Sequence, residues 1–370
     1  MTITPFHYRA AEGDLEDLRR RLASTRWPPE GPGADPWEDG FALRELQSLC
    51  RRWREEFDWR AAERAIERWP QFLAEIGSYR IHFLHVRGRR RGGLPLILTH
   101  GWPGSFLEFL PVIPMLEEFD LVIPSLPGFG FSRAPAEPGC NTFVIAALWA
   151  ELMRGLGYER YGAQGGDFGA AVSTILGWKY PERVAGVHLN YIPGSYRPDL
   201  SAGPPPSAEE QAFLAEVARW EETEGAYAHL QRTRPGTLSY GLNDSPAGLA
   251  AWILECFRNW ADCGGLESRF AMHALANLTL YWLTGCIGAA CRLYRETARA
   301  PLAFGPGERV RVPTAVAHFP REAPFPPRSW VERGYALARW TEMPSGGHFA
   351  ALEEPERLTA DVAAFFAQRS

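Results

Sequence analysis

The segment GGDFG at residues 165–169 has the composition of a sharp turn that presents a nucleophile. It follows a short predicted strand and opens a predicted helix, and the glycines two positions either side of Asp167 permit such a turn. A carboxylate is ionised at neutral pH, so Asp167 can displace a leaving group from an alkyl carbon and form an ester, whose carbonyl water can then attack. The alternative is a glycine-rich turn in which Asp167 caps the helix.

A second motif, HGWPGS at residues 100–105, directly follows the predicted strand 94–99. In a strand–turn–helix hydrolase, this loop and the residue after the nucleophile each supply one amide N–H to a developing oxyanion. We therefore assign the oxyanion hole to the backbone N–H groups of Trp102 and Phe168. The simpler interpretation, a plain strand-exit turn, is disfavoured by the position of the motif ahead of Asp167.

A third motif, GGHF at residues 346–349, follows the last predicted strand. A late histidine is where the general base belongs in the chain order nucleophile, acid, histidine. Other histidines lie in the early strand (His82, His85) or in a helical stretch (His229, His273). His348 is therefore the predicted base.

The composition excludes several classes of protein. The chain has 370 residues, a hydrophobic fraction of 46% and a net charge of -5, which disfavours a disordered protein and a nucleic-acid binder. Without an apolar run of ~18 residues or a signal-like N-terminus, we expect no membrane anchor and a cytoplasmic location. The six cysteines lack metal-type spacing and are expected to be reduced and buried: Cys50, Cys140, Cys256, Cys263, Cys286 and Cys291.

The pattern of the chain changes near residue 79. Before it, the spacing predicts helices and loop with no strand; the helices cover 14–24, 41–54 and 59–68. After it, predicted strands alternate with helices, which indicates a parallel sheet covered on both faces. The predicted strands are 79–86, 94–99, 119–124, 158–164, 184–189, 314–317 and 338–341, and the helices outside the lid include 141–156 and 362–366.

A proline-rich stretch at 197–208 leads from the sheet into an insertion. From about 207 to 300 the pattern of this insertion predicts helices and no strand. We therefore divide the chain into an N-terminal segment (1–78), the first part of the core (79–196), a helical insertion (197–300) and the second part of the core (301–370).

With HGWPGS, GGDFG and GGHFAALEEPE in this order, the chain resembles the microsomal-type epoxide hydrolases of the α/β-hydrolase superfamily. The segments 5–28, 237–257 and 278–296 extend the resemblance along nearly the whole chain. It implies an α/β-hydrolase fold, with a mostly parallel sheet flanked by helices, a helical lid and an N-terminal meander. Two features depart from the family: the membrane-anchoring helix of mammalian members is absent, and Phe168 stands where tryptophan is common.

The resemblance also implies the triad acid. The family places it in a Phe-Pro-x-Glu motif, which residues 319–322 match, so Glu322 is the expected partner of His348. Asp199, after an earlier strand, and Glu332 are the alternatives, and Glu322 could also be a solvated loop carboxylate.

Two lid tyrosines are implied as hydrogen-bond donors to the epoxide oxygen, because ring opening develops an alkoxide that needs a proton. The matching stretches are GAYAHLQ, which gives Tyr227, and RLYRE, which gives Tyr294. Aromatic residues at helical spacing are more often core residues, and three tyrosines remain competitors: Tyr191, Tyr240 and Tyr281.

These residues together predict an enzyme that hydrolyses a small apolar epoxide to a vicinal diol, with water as co-substrate and without cofactor or metal. A haloalkane dehalogenase also uses an aspartate nucleophile, but Phe168 lacks the N–H that a departing halide needs. A serine esterase is disfavoured because Asp167 replaces the serine. A non-catalytic binding protein would not need His348 or Glu322. A homodimer is expected only because dimers are common.

Overall fold

The computed structural model describes residues 1–90, 92–201, 203–262, 270–322 and 324–369. Its described residues form one nine-stranded sheet, in the order β1-β2-β3-β5-β4-β6-β7-β8-β9. The strands are β1 (Thr2–Pro5), β2 (Gln71–Ile76), β3 (Tyr79–Val86), β4 (Leu96–Thr99), β5 (Leu121–Pro124), β6 (Tyr161–Gly165), β7 (Val184–Leu189), β8 (Val310–His318) and β9 (Tyr335–Glu342).

Helices cover both faces of the sheet and form the insertion. The helices of the N-terminal segment and the core are α1 (Glu12–Ala23), α2 (Leu43–Glu55), α3 (Trp59–Glu67), α4 (Thr142–Gly155), α5 (Asp167–Lys179), α12 (Arg328–Gly334), α13 (Ala350–Glu353) and α14 (Pro355–Phe366). The lid helices are α6 (Ala208–Thr223), α7 (Ala226–Thr233), α8 (Pro235–Asp244), α9 (Pro246–Trp260), α10 (Phe270–Thr284) and α11 (Ile287–Ala298).

The sheet is parallel from β5 to β9 and antiparallel from β1 to β5, which confirms the mostly parallel fold. Strands β4, β5, β6 and β7 are buried at every position. Such strands need helices on both faces, because no side of them can face water. Their carboxyl ends therefore meet at one edge, where the loops that follow them can assemble a site.

The expectation that no strand precedes residue 79 was wrong. Strand β1 pairs with β2, and β2 pairs with β3, all antiparallel. β1 is mostly exposed, so its sequence carries no apolar alternation from which a strand could be predicted. Strands β1 and β2 form because they pair onto the edge of a sheet whose other strands come later in the chain.

The start of the lid is attached to the core by two contacts. Arg197, where the chain leaves the core, forms a parallel bridge with Ala303, where the chain returns. Farther along, Arg333 of α12 holds the buried carboxylate of Glu210 in α6 through two nitrogens, each 2.8 Å from an oxygen. The N-terminal segment also packs on the lid, where the Trp53 indole N–H donates to Thr279 of α10 at 2.7 Å.

No single helix among the described residues is long and apolar enough to cross a membrane. Helices α10 and α11 together have the length and apolar composition of a membrane span, but the chain bends by 93° between them. The five cysteines within the described ranges are buried and unpaired with one another, and Cys263 lies outside those ranges.

Candidate active site

Asp167 stands at the turn between β6 and α5, in the strand–turn–helix arrangement that the sequence predicts. Its backbone has a φ of 50°, in the left-handed region that non-glycine residues rarely adopt. A side chain at Gly165 would overlap the backbone of Gly169, and one at Gly169 would overlap the carbonyl oxygen of Thr99. The two glycines are therefore required for the close approach of β4, β6 and α5 beneath Asp167.

The carboxylate of Asp167 faces the loop after β4. Its Oδ1 accepts a hydrogen bond of 2.8 Å from the backbone N–H of Trp102. The backbone N–H of Phe168 is a second donor that acts on this carboxylate. The structure thus brings the two predicted oxyanion donors together at Asp167. It also gives the carboxylate a partner outside α5, which a simple helix cap would not require.

His348 lies between Asp167 and Glu322. Its Nδ1 is 2.8 Å from Oε2 of Glu322, and its Nε2 is 3.7 Å from Oδ2 of Asp167. Glu322 follows β8 and His348 follows β9, so the parallel order of these strands carries both residues to the edge where β6 ends. Gly347 lets the His348 loop pass close to the end of α9, where the backbone N–H of His348 donates to the carbonyl of Trp260 at 3.0 Å.

The alternative acids lie elsewhere. Asp199 accepts hydrogen bonds from Ser201 and from the backbone N–H of Gly307. Glu332 forms an exposed ion pair with Arg328 one turn away on α12. Neither carboxylate reaches His348, so Glu322 is the acid that the geometry favours.

The buried charges shift each other's pKa values. Burial alone would lower the pKa of His348, but the charge and hydrogen bond of Glu322, with a further contribution from Asp167, raise it to about 9. Burial raises the pKa of Asp167, and the charge of His348 and the amides of Trp102 and Phe168 oppose that rise. The buried acidic groups around His348 therefore favour the protonated, positively charged form of its ring.

Tyr227 of α7 and Tyr294 of α11 both lie over this centre. The Tyr227 ring stacks on the Trp102 ring at 5.3 Å, and the Tyr294 ring meets the Phe168 ring edge-on at 4.9 Å. The two tyrosine rings are 5.9 Å apart. Burial raises the pKa of both hydroxyls well above the ordinary range, so both remain protonated donors.

The competing tyrosines occupy other positions. Tyr240 is 84% exposed, and the hydroxyl of Tyr281 donates to the carbonyl of Gly104 at 2.9 Å. Tyr191 is the competitor that stays near the centre, with its ring 5.8 Å from the His348 ring. It lies beside the base, and the pair above Asp167 is Tyr227 with Tyr294.

Two residues near the site were not predicted. The Trp260 ring lies 5.0 Å from the His348 ring, and Glu108 lies close enough to His348 and Asp167 to interact with their charges. Neither carried a signal in the sequence, because a tryptophan late in a helix and a glutamate between Leu107 and Phe109 are both typical of ordinary amphipathic segments. Across the described ranges, no three His, Cys, Asp or Glu side chains are grouped so as to hold a metal ion.

Comparisons with known proteins show which proteins this chain resembles. The family model described as epoxide hydrolase N terminus matches residues 3–109, and that described as alpha/beta hydrolase fold matches residues 95–235. A putative epoxide hydrolase from Stigmatella aurantiaca is 42% identical, with 99% of this chain and 85% of the relative aligned. Epoxide hydrolase 1 from Oryctolagus cuniculus is 34% identical, over 98% of this chain and 88% of the relative.

A solved structure resembles the whole chain. The epoxide hydrolase from Aspergillus niger superposes with a TM-score of 0.87 at 32% identity, covering 100% of this chain and 97% of that chain. The similarity therefore includes the N-terminal segment and the lid as well as the sheet.

Proposed function

The chain belongs to the epoxide hydrolase family, and we propose that it converts an epoxide to a vicinal diol through a covalent ester on Asp167. The observation that carries this proposal is the placement of His348 within reach of both Asp167 and Glu322. The rings of Tyr227 and Tyr294 pack against the two residues whose amides face Asp167. A nucleophile, a base with its partner, and two proton donors are the groups that such a reaction needs.

Ring opening is the first step. The epoxide lies between the lid and the loop after β4, with its oxygen bonded to the hydroxyls of Tyr227 and Tyr294. A carboxylate oxygen of Asp167 attacks one ring carbon from the side opposite the C–O bond that breaks. The developing alkoxide takes a proton from a tyrosine, and the product is a hydroxyalkyl ester of Asp167.

Ester formation prepares the second step by changing the charge beside His348. The negative charge of Asp167 is one of the causes that hold the pKa of His348 at about 9. Once Asp167 is esterified that charge is lost and the pKa of His348 falls. The imidazolium then gives up its proton, which restores the tyrosine that protonated the alkoxide, and the neutral ring can act as a base. The imidazolium of the resting enzyme thus supports an ionised nucleophile, and the neutral ring that follows suits hydrolysis.

Water then cleaves the ester. His348 takes a proton from water, and the resulting hydroxide adds to the carbonyl carbon of Asp167. The backbone N–H groups of Trp102 and Phe168 stabilise the oxyanion of the tetrahedral intermediate. When that intermediate collapses, the ester C–O bond breaks and the proton of the added hydroxyl group passes to the departing alkoxide oxygen. The diol is released, His348 is again the imidazolium, and Asp167 is an ionised carboxylate with one new oxygen.

The rings around the centre favour a small apolar substrate. Five aromatic rings form a nearly continuous wall, with neighbouring ring centroids 4.9–6.2 Å apart. They belong to Trp102, Phe168, Tyr227, Trp260 and Tyr294. Such a wall gains more from burying hydrocarbon than from binding polar groups. An aryl or alkyl epoxide without charge is the substrate class that fits.

The test is diol formation from a panel of epoxides that includes styrene oxide, with the Asp167→Ala variant beside the unaltered enzyme. We expect turnover in the enzyme and none above background in the variant. The control is Asp199→Ala, which removes a carboxylate remote from the site and should leave turnover unchanged. A single turnover in heavy-oxygen water should label Asp167, and label in the first-turnover diol would contradict the covalent scheme.

One observation favours a second candidate, a haloalkane dehalogenase. The indole N–H of Trp102 is buried without a hydrogen-bond partner among the described residues, and a halide leaving group could accept from it. Release of chloride from chloroalkanes, with no diol from any epoxide, would favour that reaction. Tight binding of epoxides without turnover would instead indicate a binding protein.

A further inference from the structure

A carboxyl group that the mechanism above does not use lies beside the catalytic centre. Glu108 belongs to the short 3-10 helix Phe106–Phe109, which directly follows the loop that carries Trp102. Its charge interacts with those of His348 and Asp167. A side chain at Gly104 would come within 2.8 Å of its Oε2, so the glycine leaves room for the carboxyl group.

The carboxyl group of Glu108 receives no hydrogen bond from any residue that the structure describes. Buried polar groups in proteins almost always have a partner, either a protein group or an ordered water. Burial raises the pKa of Glu108 to about 8, and the charge of Asp167 adds to the rise, while His348 opposes it. The protonated form that burial favours still has a carbonyl oxygen that can accept a hydrogen bond.

A small cavity beside Glu108 has room for a water partner. It has a volume of about 20 Å³, and its lining includes Glu108, Asp167, His348 and Asn190. A cavity needs roughly 10–15 Å³ to hold one water, and a buried water needs two to four polar partners. This cavity has the size and the polar lining for a single water. Neither Tyr227 nor Tyr294 lines it, so it lies apart from the proposed position of the epoxide oxygen.

Glu108 also borders a larger groove on its other side. This groove has a volume of about 460 Å³ and runs between α3, the segment after Trp102, and α10. Glu108 and Gly104 line both spaces, and Glu108 remains partly accessible. The boundary between the small cavity and the groove is therefore a carboxyl group and a glycine.

Given the proposed function, on which this step rests, we propose that Glu108 binds the hydrolytic water opposite His348 and that this water is replenished from the groove beside α3. One O–H of the water transfers its proton to Nε2 of His348 as the oxygen bonds to the carbonyl carbon of Asp167. The other O–H stays hydrogen-bonded to Glu108, which neither gains nor loses a proton. The epoxide can thus fill the lid side without displacing the water.

The test separates ester formation from ester hydrolysis in single turnovers. Glu108→Met keeps the approximate length of the side chain but removes its polar end, and Glu108→Gln keeps a carbonyl oxygen that can accept. Loss of one buried hydrogen bond corresponds to about a tenfold change in rate. We expect Glu108→Met to slow hydrolysis about tenfold while ester formation changes by less than about threefold, and Glu108→Gln to retain most of the hydrolysis rate.

The amount of ester is measured by intact mass after an acid quench. Asp58 lines the groove but not the small cavity, so Asp58→Asn, which preserves the cap of α3, should leave both steps unchanged. If Glu108→Met lowers Tm, Glu108→Leu serves as the second variant in which the rates of ester formation and ester hydrolysis are compared. Equal slowing of both steps, or unchanged hydrolysis, would overturn the role of Glu108. If the unaltered enzyme forms neither ester nor diol, the proposed function itself fails.

Discussion

The imidazole ring of His348 is held by both oxygens of one buried carboxylate, with its Nδ1 at 2.8 Å from Oε2 and 3.1 Å from Oε1 of Glu322. The side chains of Glu322 and His348 are only 5% and 9% exposed. Because a carboxylate can only accept, Nδ1 must carry the proton that it shares with Glu322. The opposite nitrogen, Nε2, is then the atom that faces Asp167 and exchanges protons.

This relationship predicts that Glu322→Gln impairs ester hydrolysis much more than ester formation. The amide removes the negative charge that stabilises the imidazolium, and general-base catalysis is worth about 10²–10⁴ in rate. We expect hydrolysis to slow within that range and the Asp167 ester to accumulate in a quenched single turnover. Glu332→Gln, an exposed carboxylate on α12, is the control. Unimpaired hydrolysis in Glu322→Gln would show that another group orients His348.

A second prediction concerns the charge of Asp167. Asp167→Asn replaces the carboxylate 3.7 Å from His348 with a neutral amide of the same shape. Loss of a negative charge destabilises the imidazolium, so the pKa of His348 should fall below its value of about 9. The titration of the His348 ring protons by NMR measures this change, and Asp199→Asn should leave it unaltered. An unchanged pKa would remove the electrostatic link between the two chemical steps.

The two lid tyrosines give a third prediction. Tyr227→Phe and Tyr294→Phe each remove one hydroxyl and leave the aromatic wall intact. Each should slow ester formation about 10–100-fold, because one donor to the developing alkoxide is lost. Ester hydrolysis, which does not involve the epoxide oxygen, should change little in the same burst experiment. Tyr240→Phe is the control, since that side chain is 84% exposed. Slowed hydrolysis with normal ester formation would assign the hydroxyls to the second step.

A fourth prediction concerns the attachment of the lid. Arg333→Met leaves the carboxylate of Glu210, whose side chain is 2% exposed, without its guanidinium partner. Breaking a buried ion pair on one side costs about 3–5 kcal/mol, so we expect a lower free energy of unfolding and a lower Tm. Glu210→Leu added to Arg333→Met should restore part of the loss. Arg328→Ala, which breaks an exposed pair on the same helix, should cost less than about 1 kcal/mol. An equal loss in both single variants would argue against the attachment.

Much of the fold followed from short-range patterns. The strands at 79–86 and 184–189 match β3 and β7, and the lid helices fall within the insertion that the sequence predicts. An alternating strand and an amphipathic helix each have a characteristic periodicity, and a fully buried strand is a short apolar run, so each can be predicted from its own segment. Strand β1 could not be predicted from its own segment, because its residues are mostly exposed and its stability comes from pairing with β2.

The same division applies to the site. The sequence by itself determined the turn at Asp167, because the glycines at 165 and 169 lie next to the backbone whose conformation they permit. It also determined the order of the three motifs along the chain. Only the tertiary structure decided which carboxylate meets His348 and which tyrosines stand over Asp167. It also revealed the place of Glu108, for which no motif existed. The physical reason is that backbone constraints act between neighbours in sequence, whereas these side-chain contacts depend on the strand order of the sheet and on how the lid closes over it.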